Sequence, residues 1–252
     1  GEKSEEDLEA SILSGAEACQ VENKEAVHYA MADGSMLLTR EEQWKEVKLG
    51  RIFSAQDNVE VSQGHGVITQ SLYVAHLGGH QDFLKKFDHF VSCLMKVVFI
   101  ADGAKWFWNW VETFYHQAIQ ILDFFHAKEH LHQYASLYFS EAINSKQWCE
   151  QQTELLLEDK IEQVLTNISN LPKSKNKKEK QARDNLLNYY GENSKRMQYK
   201  TFKEQGLFIG SGAIEAAHRN VIQQRLKLSG QRWTKKGAQQ IINLRIANKS
   251  NH

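Results

Sequence analysis

The chain has 252 residues, room for one large domain or one domain carrying an insertion. Hydrophobic residues make up 41%, enough for a real core, yet no apolar run approaches the roughly 18–20 residues of a membrane-spanning helix. The net charge of zero hides a split: 13 basic and 26 acidic residues in 1–170, against 18 basic and 5 acidic in 171–252.

Residues 1–25 are acidic and poor in large apolar side chains, and read as a leader helix or a partly disordered segment. VHYAMAD (27–33) and SMLLT (35–39) read as two strands. Only Gly34 separates them, so the hairpin is tight or the boundary lies a residue or two away. WKEVKLGRIFSA (44–55) reads as a third strand, although Trp44, Val47, Leu49 and Ile52 do not alternate perfectly. Residues 56–71 fit a further short strand or a loop. In HQDFLKKFDHFVSCLM (80–95), Phe83, Leu84, Phe87, Phe90, Val91 and Leu94 recur at helical spacing. KVVFIAD (96–102) is a short, almost wholly apolar run of the kind found in buried central strands. WFWNWVETFYH (106–116) predicts a helix, AIQILD (118–123) another buried strand, and DFFHAKEHLHQYASLYFS (123–140) a helix. From about 145 to 200 the pattern is helical and polar, broken by Pro172 and the basic run 173–180. Two further helices are predicted over 210–227 and 234–250, with Gly230 between them.

Three consecutive strands, then strand–helix–strand alternation, then helices alone, predict an α/β fold with a mixed sheet flanked by helices. That order matches the RNase H-like fold, with an all-helical insertion before the last core helices. The expected divisions are a leader (1–26), the first part of the core (27–140), the insertion (141–205) and C-terminal core helices (206–252).

Three acids stand out. Asp33 is expected at the end of the first strand and Asp102 at the end of the buried strand, each followed by glycine. An acid at a strand exit can point into the crevice where open sheets bind ligands. In an RNase H-like sheet strands one and four are neighbours, so these two carboxylates can lie side by side. Like charges that close call for a cation, and Mg²⁺ prefers hard oxygen ligands. Glu215 follows Gly210 and Gly212 into a helix and can complete a two-metal site for phosphodiester chemistry. The plain alternative is two common Asp-Gly turns and a solvated glutamate.

The basic C-terminal third attracts polyanions, most commonly nucleic acid, or is simply a solvated helical surface. Cys19, Cys93 and Cys149 form no CxxC, which argues against a thiol zinc site and fits a reducing, intracellular compartment.

Three blocks carry a resemblance. Residues 32–53 resemble the first-Asp block of bacterial insertion-sequence transposases of the ISKra type, which are related to the Mutator-like transposases. Residues 97–131 resemble that family's second-Asp block, and 210–245 its third, with the acid in a Gly-Ser-Gly-hydrophobic-Glu context followed by Arg-Trp and Gly-Ala. The resemblance covers most of 27–248, in the right order. It implies a DDE-type catalytic core in which Asp33, Asp102 and Glu215 hold two Mg²⁺ ions, with Mn²⁺ able to substitute. The implied reaction is cleavage of DNA at element ends, followed by attack of the freed 3′-hydroxyl on target DNA. A homodimer or larger assembly on DNA and a cytoplasmic, nucleoid-associated location go with it.

Asp123 and His126 resemble the "Cys or Asp, two residues, His" motif of related transposases, which implies a role near the active site. The alternative is a helix cap and its packing neighbour. Arg232 and Trp233 resemble the family's Arg-Trp pair. They can hold phosphate and stack on a base, or Trp233 can anchor the last two helices. Arg219, Arg225, Lys227, Lys235 and Lys236 are candidate phosphate contacts. Only about 26 residues, an acidic stretch, precede the first block, where this family carries a DNA-binding region. Sequence upstream is therefore expected, or else a processed core or a transposase-derived protein with another task. Two other activities suit the same residues: an RNase H-like nuclease or junction resolvase, and a non-catalytic DNA-binding protein.

Overall fold

The structure is a computed structural model, describing residues 26–62, 65–172 and 176–250. The expected acidic leader, Ala26 apart, and residues 173–175 of the basic run lie outside the described residues. The fold is α/β, a mixed five-stranded sheet flanked by helices, in the strand order β5-β2-β1-β6-β7. Its strands are β1 (Val27–Thr39), β2 (Gln43–Ser54), β5 (Leu72–Leu77), β6 (Lys96–Ala101) and β7 (Ile119–Leu122). β3 (Asn58–Ser62) and β4 (His65–Ile68) pair antiparallel as a separate two-stranded sheet.

The expected hairpin at Gly34 does not form. β1 runs unbroken from Val27 to Thr39, and Gly34 pairs with Lys48 within the antiparallel β1–β2 ladder. Gly34 has no positive φ, and a Cβ there would meet only the carboxylate end of Glu46, at 2.0 Å, which can swing aside; the residue neither turns the chain nor is demanded by packing. The chain reverses instead at residues 40–42, and Gln43 takes the left-handed conformation, φ 56°. The imperfect alternation of β2 also has a cause: Val47 to Phe53 are buried without a break, as in a strand covered on both faces. β5 was not expected. It pairs antiparallel with β2, Leu49 facing Ala75.

By contact the chain divides into two compact units, one holding residues up to Val98 and from Ala213 on, the other Phe99–Gly212. In the first, α1 (His80–Val91) buries Phe83, Phe87 and Val91, the apolar face its spacing predicts. Near the C-terminus, Gly212–Ala217 is α-helical, His218–Gln223 is a π-helical turn and Gln224–Leu226 is α-helical again. The last helix, Lys235–Ser250, covers β5. Gln239 Oε1 accepts from Leu77 N at 2.8 Å, and Ser250 Oγ lies 3.1 Å from Tyr73 N, so the outer N–H groups of an edge strand find partners.

In the second unit the helices are α2 (Lys105–Phe114), α3 (Phe124–Tyr138), α4 (Ala142–Leu157), α5 (Ile161–Asn170), α6 (Lys177–Asn193) and α7 (Tyr199–Glu204). Its core includes Phe99, Ile100, Phe107, Val111, Ile121, Leu122 and Leu131, all fully buried. Arg196 ties two elements together: its guanidinium bonds Glu112 at 2.7 Å and Gln120 at 2.8 Å and lies over the Trp108 ring. Tyr190 donates from its hydroxyl to Ala127 O at 2.8 Å, fixing α6 on α3.

Candidate active site

Asp33 lies within β1, not at its end as expected, because the strand continues through Gly34. Its side chain is half-buried. Oδ1 accepts from Gly34 N at 2.7 Å, and Oδ2 stands 3.6 Å from His218 Nε2. The same ring nitrogen lies 3.1 Å from the Asp33 backbone carbonyl. His218 is buried. Burial pushes its imidazole below the ordinary value, and the Asp33 carboxylate offsets this only in part. Lys227 also feels the Asp33 charge, which opposes the lowering of its ammonium by burial.

Glu215 is exposed in the helix that starts at Gly212, near the positive end of the helix dipole. Several contacts hold that helical run within its unit, Arg245 bonding the Val221 carbonyl at 2.6 Å among them, and two of them flank Glu215. Arg51, on β2, donates from Nη1 to the carbonyl of Ala213 at 2.7 Å, its guanidinium 5.4 Å from the centroids of the Phe53 and Tyr73 rings. His218 bonds the Asp33 backbone. Neither Arg51 nor His218 was singled out from the sequence. His218 had a legible signal, a polar side chain on the face shared by Ile214, Ala217, Val221 and Ile222, all buried.

In the second unit Asp102 directly follows β6, as expected. Its Oδ1 accepts from Ala104 N at 3.0 Å, and its carbonyl accepts from Trp108 Nε1 at 2.6 Å. Gly103 is shaped by Tyr189 of α6: a Cβ there would lie 2.1 Å from the tyrosine ring. Tyr189 also packs on His130, ring centroids 4.3 Å apart. Burial, with the Asp102 and Asp123 charges behind it, pushes the Tyr189 hydroxyl far above the usual phenol range.

Asp123 is fully buried and caps α3, accepting from Phe125 N at 2.8 Å. Its other oxygen meets His126 Nδ1 at 2.8 Å and accepts from the Ser211 hydroxyl. Burial alone would raise this carboxyl; the bonds from His126, Ser211 and Phe125 outweigh it and hold the group below the usual carboxylate range. The capping reading of Asp123 therefore describes its contacts, with His126 as an added donor. Ser211, within the Gly-Ser-Gly run, was not anticipated as a partner.

Among the basic candidates, Arg219, Arg225, Lys227, Arg232 and Lys236 are exposed. Lys235 is engaged with Glu42 at 2.6 Å. Trp233 braces the end of β1: Arg40 N donates to its carbonyl at 2.8 Å, its Nε1 donates to Leu226 O at 3.1 Å, and the Arg225 guanidinium lies 5.3 Å from its ring centroid. Thus Asp33, Glu215, Arg219, Arg225, Lys227, Arg232, Trp233, Lys235 and Lys236 belong to one unit, and Asp102, Asp123 and His126 to the other.

No protein-family model matches the chain, and a search of curated proteins finds no match. No described helix is long and apolar enough to cross a membrane.

Proposed function

We propose that this chain is the catalytic core of a DDE-type DNA transposase, an RNase H-like domain that cleaves DNA strands and joins their 3′-hydroxyl ends to target DNA. The observation that carries the reading is where two acids fall in the sheet. Asp33 sits on β1, the strand paired antiparallel to β2, and Asp102 directly follows β6, the next strand of the sheet after β1. The antiparallel run β1–β2–β5 followed by β6, α2 and β7 supports the RNase H-like assignment. The three sequence blocks, in order, support the transposase class.

Asp33, Asp102 and Glu215 are the residues proposed to hold two Mg²⁺ ions. The donor set fits: all three offer hard carboxylate oxygens, and Asp33 is half-exposed while Glu215 is exposed. Bound metal supplies activation of the attacking oxygen and stabilisation of the leaving one. The chain's own residues position these carboxylates and, through exposed cations such as Arg219 and Lys236, hold the phosphate backbone. Paired element ends imply a dimer or larger assembly on DNA.

The test is strand nicking and joining in Mn²⁺, with a duplex carrying a free 3′-hydroxyl and a plasmid target. Asp33→Asn, Asp102→Asn and Glu215→Gln should each abolish both products. Activity that survives Asp102→Asn sinks the reading, and nicking without any joined product points to a nuclease instead.

A further inference from the structure

The geometry points to His218 as a positioning residue: it pins the helix that carries Glu215 to the backbone of Asp33. What the two acids do rests on the transposase reading; the pin itself rests on contacts within one unit.

The side chain is 2% exposed. Its Nε2 bonds the Asp33 carbonyl at 3.1 Å, and a carbonyl only accepts, so Nε2 carries the hydrogen. In the neutral ring Nδ1 is then a bare acceptor, and it is buried with no hydrogen-bond partner among the described residues. An apolar side chain of similar size would fill this place without a bare Nδ1, losing only the bond to the Asp33 carbonyl. Packing therefore does not explain a histidine here. What histidine adds is one N–H, directed at the residue that is itself the first acid.

The position in the helix makes that bond consequential. His218 stands three residues after Glu215 and begins the π-helical turn His218–Gln223. Such turns shift the register of everything beyond them and are frequent at functional sites. Two residues before Glu215, Arg51 holds the Ala213 carbonyl at 2.7 Å. Glu215 is thus bracketed by an anchor to β2 and an anchor to β1. The second of these fixes the helix against the strand of Asp33.

The experiment compares wild type with His218→Leu, His218→Met and His218→Gln. Glutamine places an amide N–H near the position of Nε2; leucine and methionine fill space and donate nothing. Hydrogen exchange over 212–226 reports the pin without metal, and Mn²⁺ calorimetry reports the acids. The two apolar variants should shift Tm little, speed exchange over 212–226 and lower Mn²⁺ affinity by roughly 10–100-fold, the usual effect of losing a partner that orients a metal ligand. Glutamine should restore both. Apolar variants that exchange and bind like wild type overturn the inference, as does a glutamine variant that loses as much as they do. A wild type that takes up no Mn²⁺, with or without duplex DNA, overturns the transposase reading instead, and the exchange measurement alone then decides the pin.

Discussion

Gly103 has no space for a side chain, because the Tyr189 ring lies where its Cβ would be. Gly103→Ala should cost about 1–3 kcal/mol, the usual range for overpacking. Tyr189→Ala in the same chain should recover part of that loss, and denaturant unfolding of the two single variants and the double variant checks the coupling. Asp123 makes a second case. Its buried carboxylate holds three donors, so Asp123→Asn should cost on the order of 1–3 kcal/mol. The pH dependence follows from the sign of the shift. A carboxyl held low in the folded state stabilises fully above its unfolded value of about 3.9, and that contribution is lost as pH falls through the folded value. Urea midpoints between pH 7 and 2 should fall on the acid side in the wild type, less steeply in Asp123→Asn. An identical acid limb would show that Asp123 is not the group responsible. Asp123 could be read from the sequence as a helix cap. Ser211 could not, since 88 residues separate it from the carboxylate it bonds.

Helix α7 depends on a distant cap. Asp159, in the left-handed conformation at φ 60°, accepts from Lys200 N at 2.7 Å and from Thr201 N at 3.0 Å. Asp159→Ala should cost about 0.5–2 kcal/mol by removing the cap. It also puts a residue poorly suited to positive φ in its place. Asp159→Asn, which keeps an acceptor and tolerates that conformation, should recover most of the stability; an asparagine variant as unstable as the alanine one would rule the cap out. Elements with strong periodicity were legible: Phe83, Phe87 and Val91 announce α1, and the apolar run at 96–101 announces β6. β5 was not legible. It is short, Val74 and Ala75 are neighbours and both buried, and so neither face alternates. Gly34 misled for a related reason: glycine sits in turns and in strand interiors alike, and only its pairing with Lys48 on β2 distinguishes them.

On the proposed function, the basic C-terminal third makes a prediction about salt. Duplex affinity should fall steeply with ionic strength. Arg219→Ala and Lys236→Ala should each reduce the slope of log K against log salt by about 1 where the side chain neutralises a phosphate. Slopes unchanged in both variants would place DNA on another surface. Lys235 is a poorer candidate than its neighbours, since Glu42 already holds it.

Local spacing announced the α/β class and the order of most elements and singled out three acids as candidates, because periodicity, turn chemistry and residue type act over a few neighbours. Packing in three dimensions decided that β1 runs through Gly34, that β5 joins β2, that Ser211 meets Asp123 and that His218 grips the backbone of Asp33. Each of those rests on a partner dozens of residues or one strand away, and a side chain carries no local mark of which distant group will satisfy it.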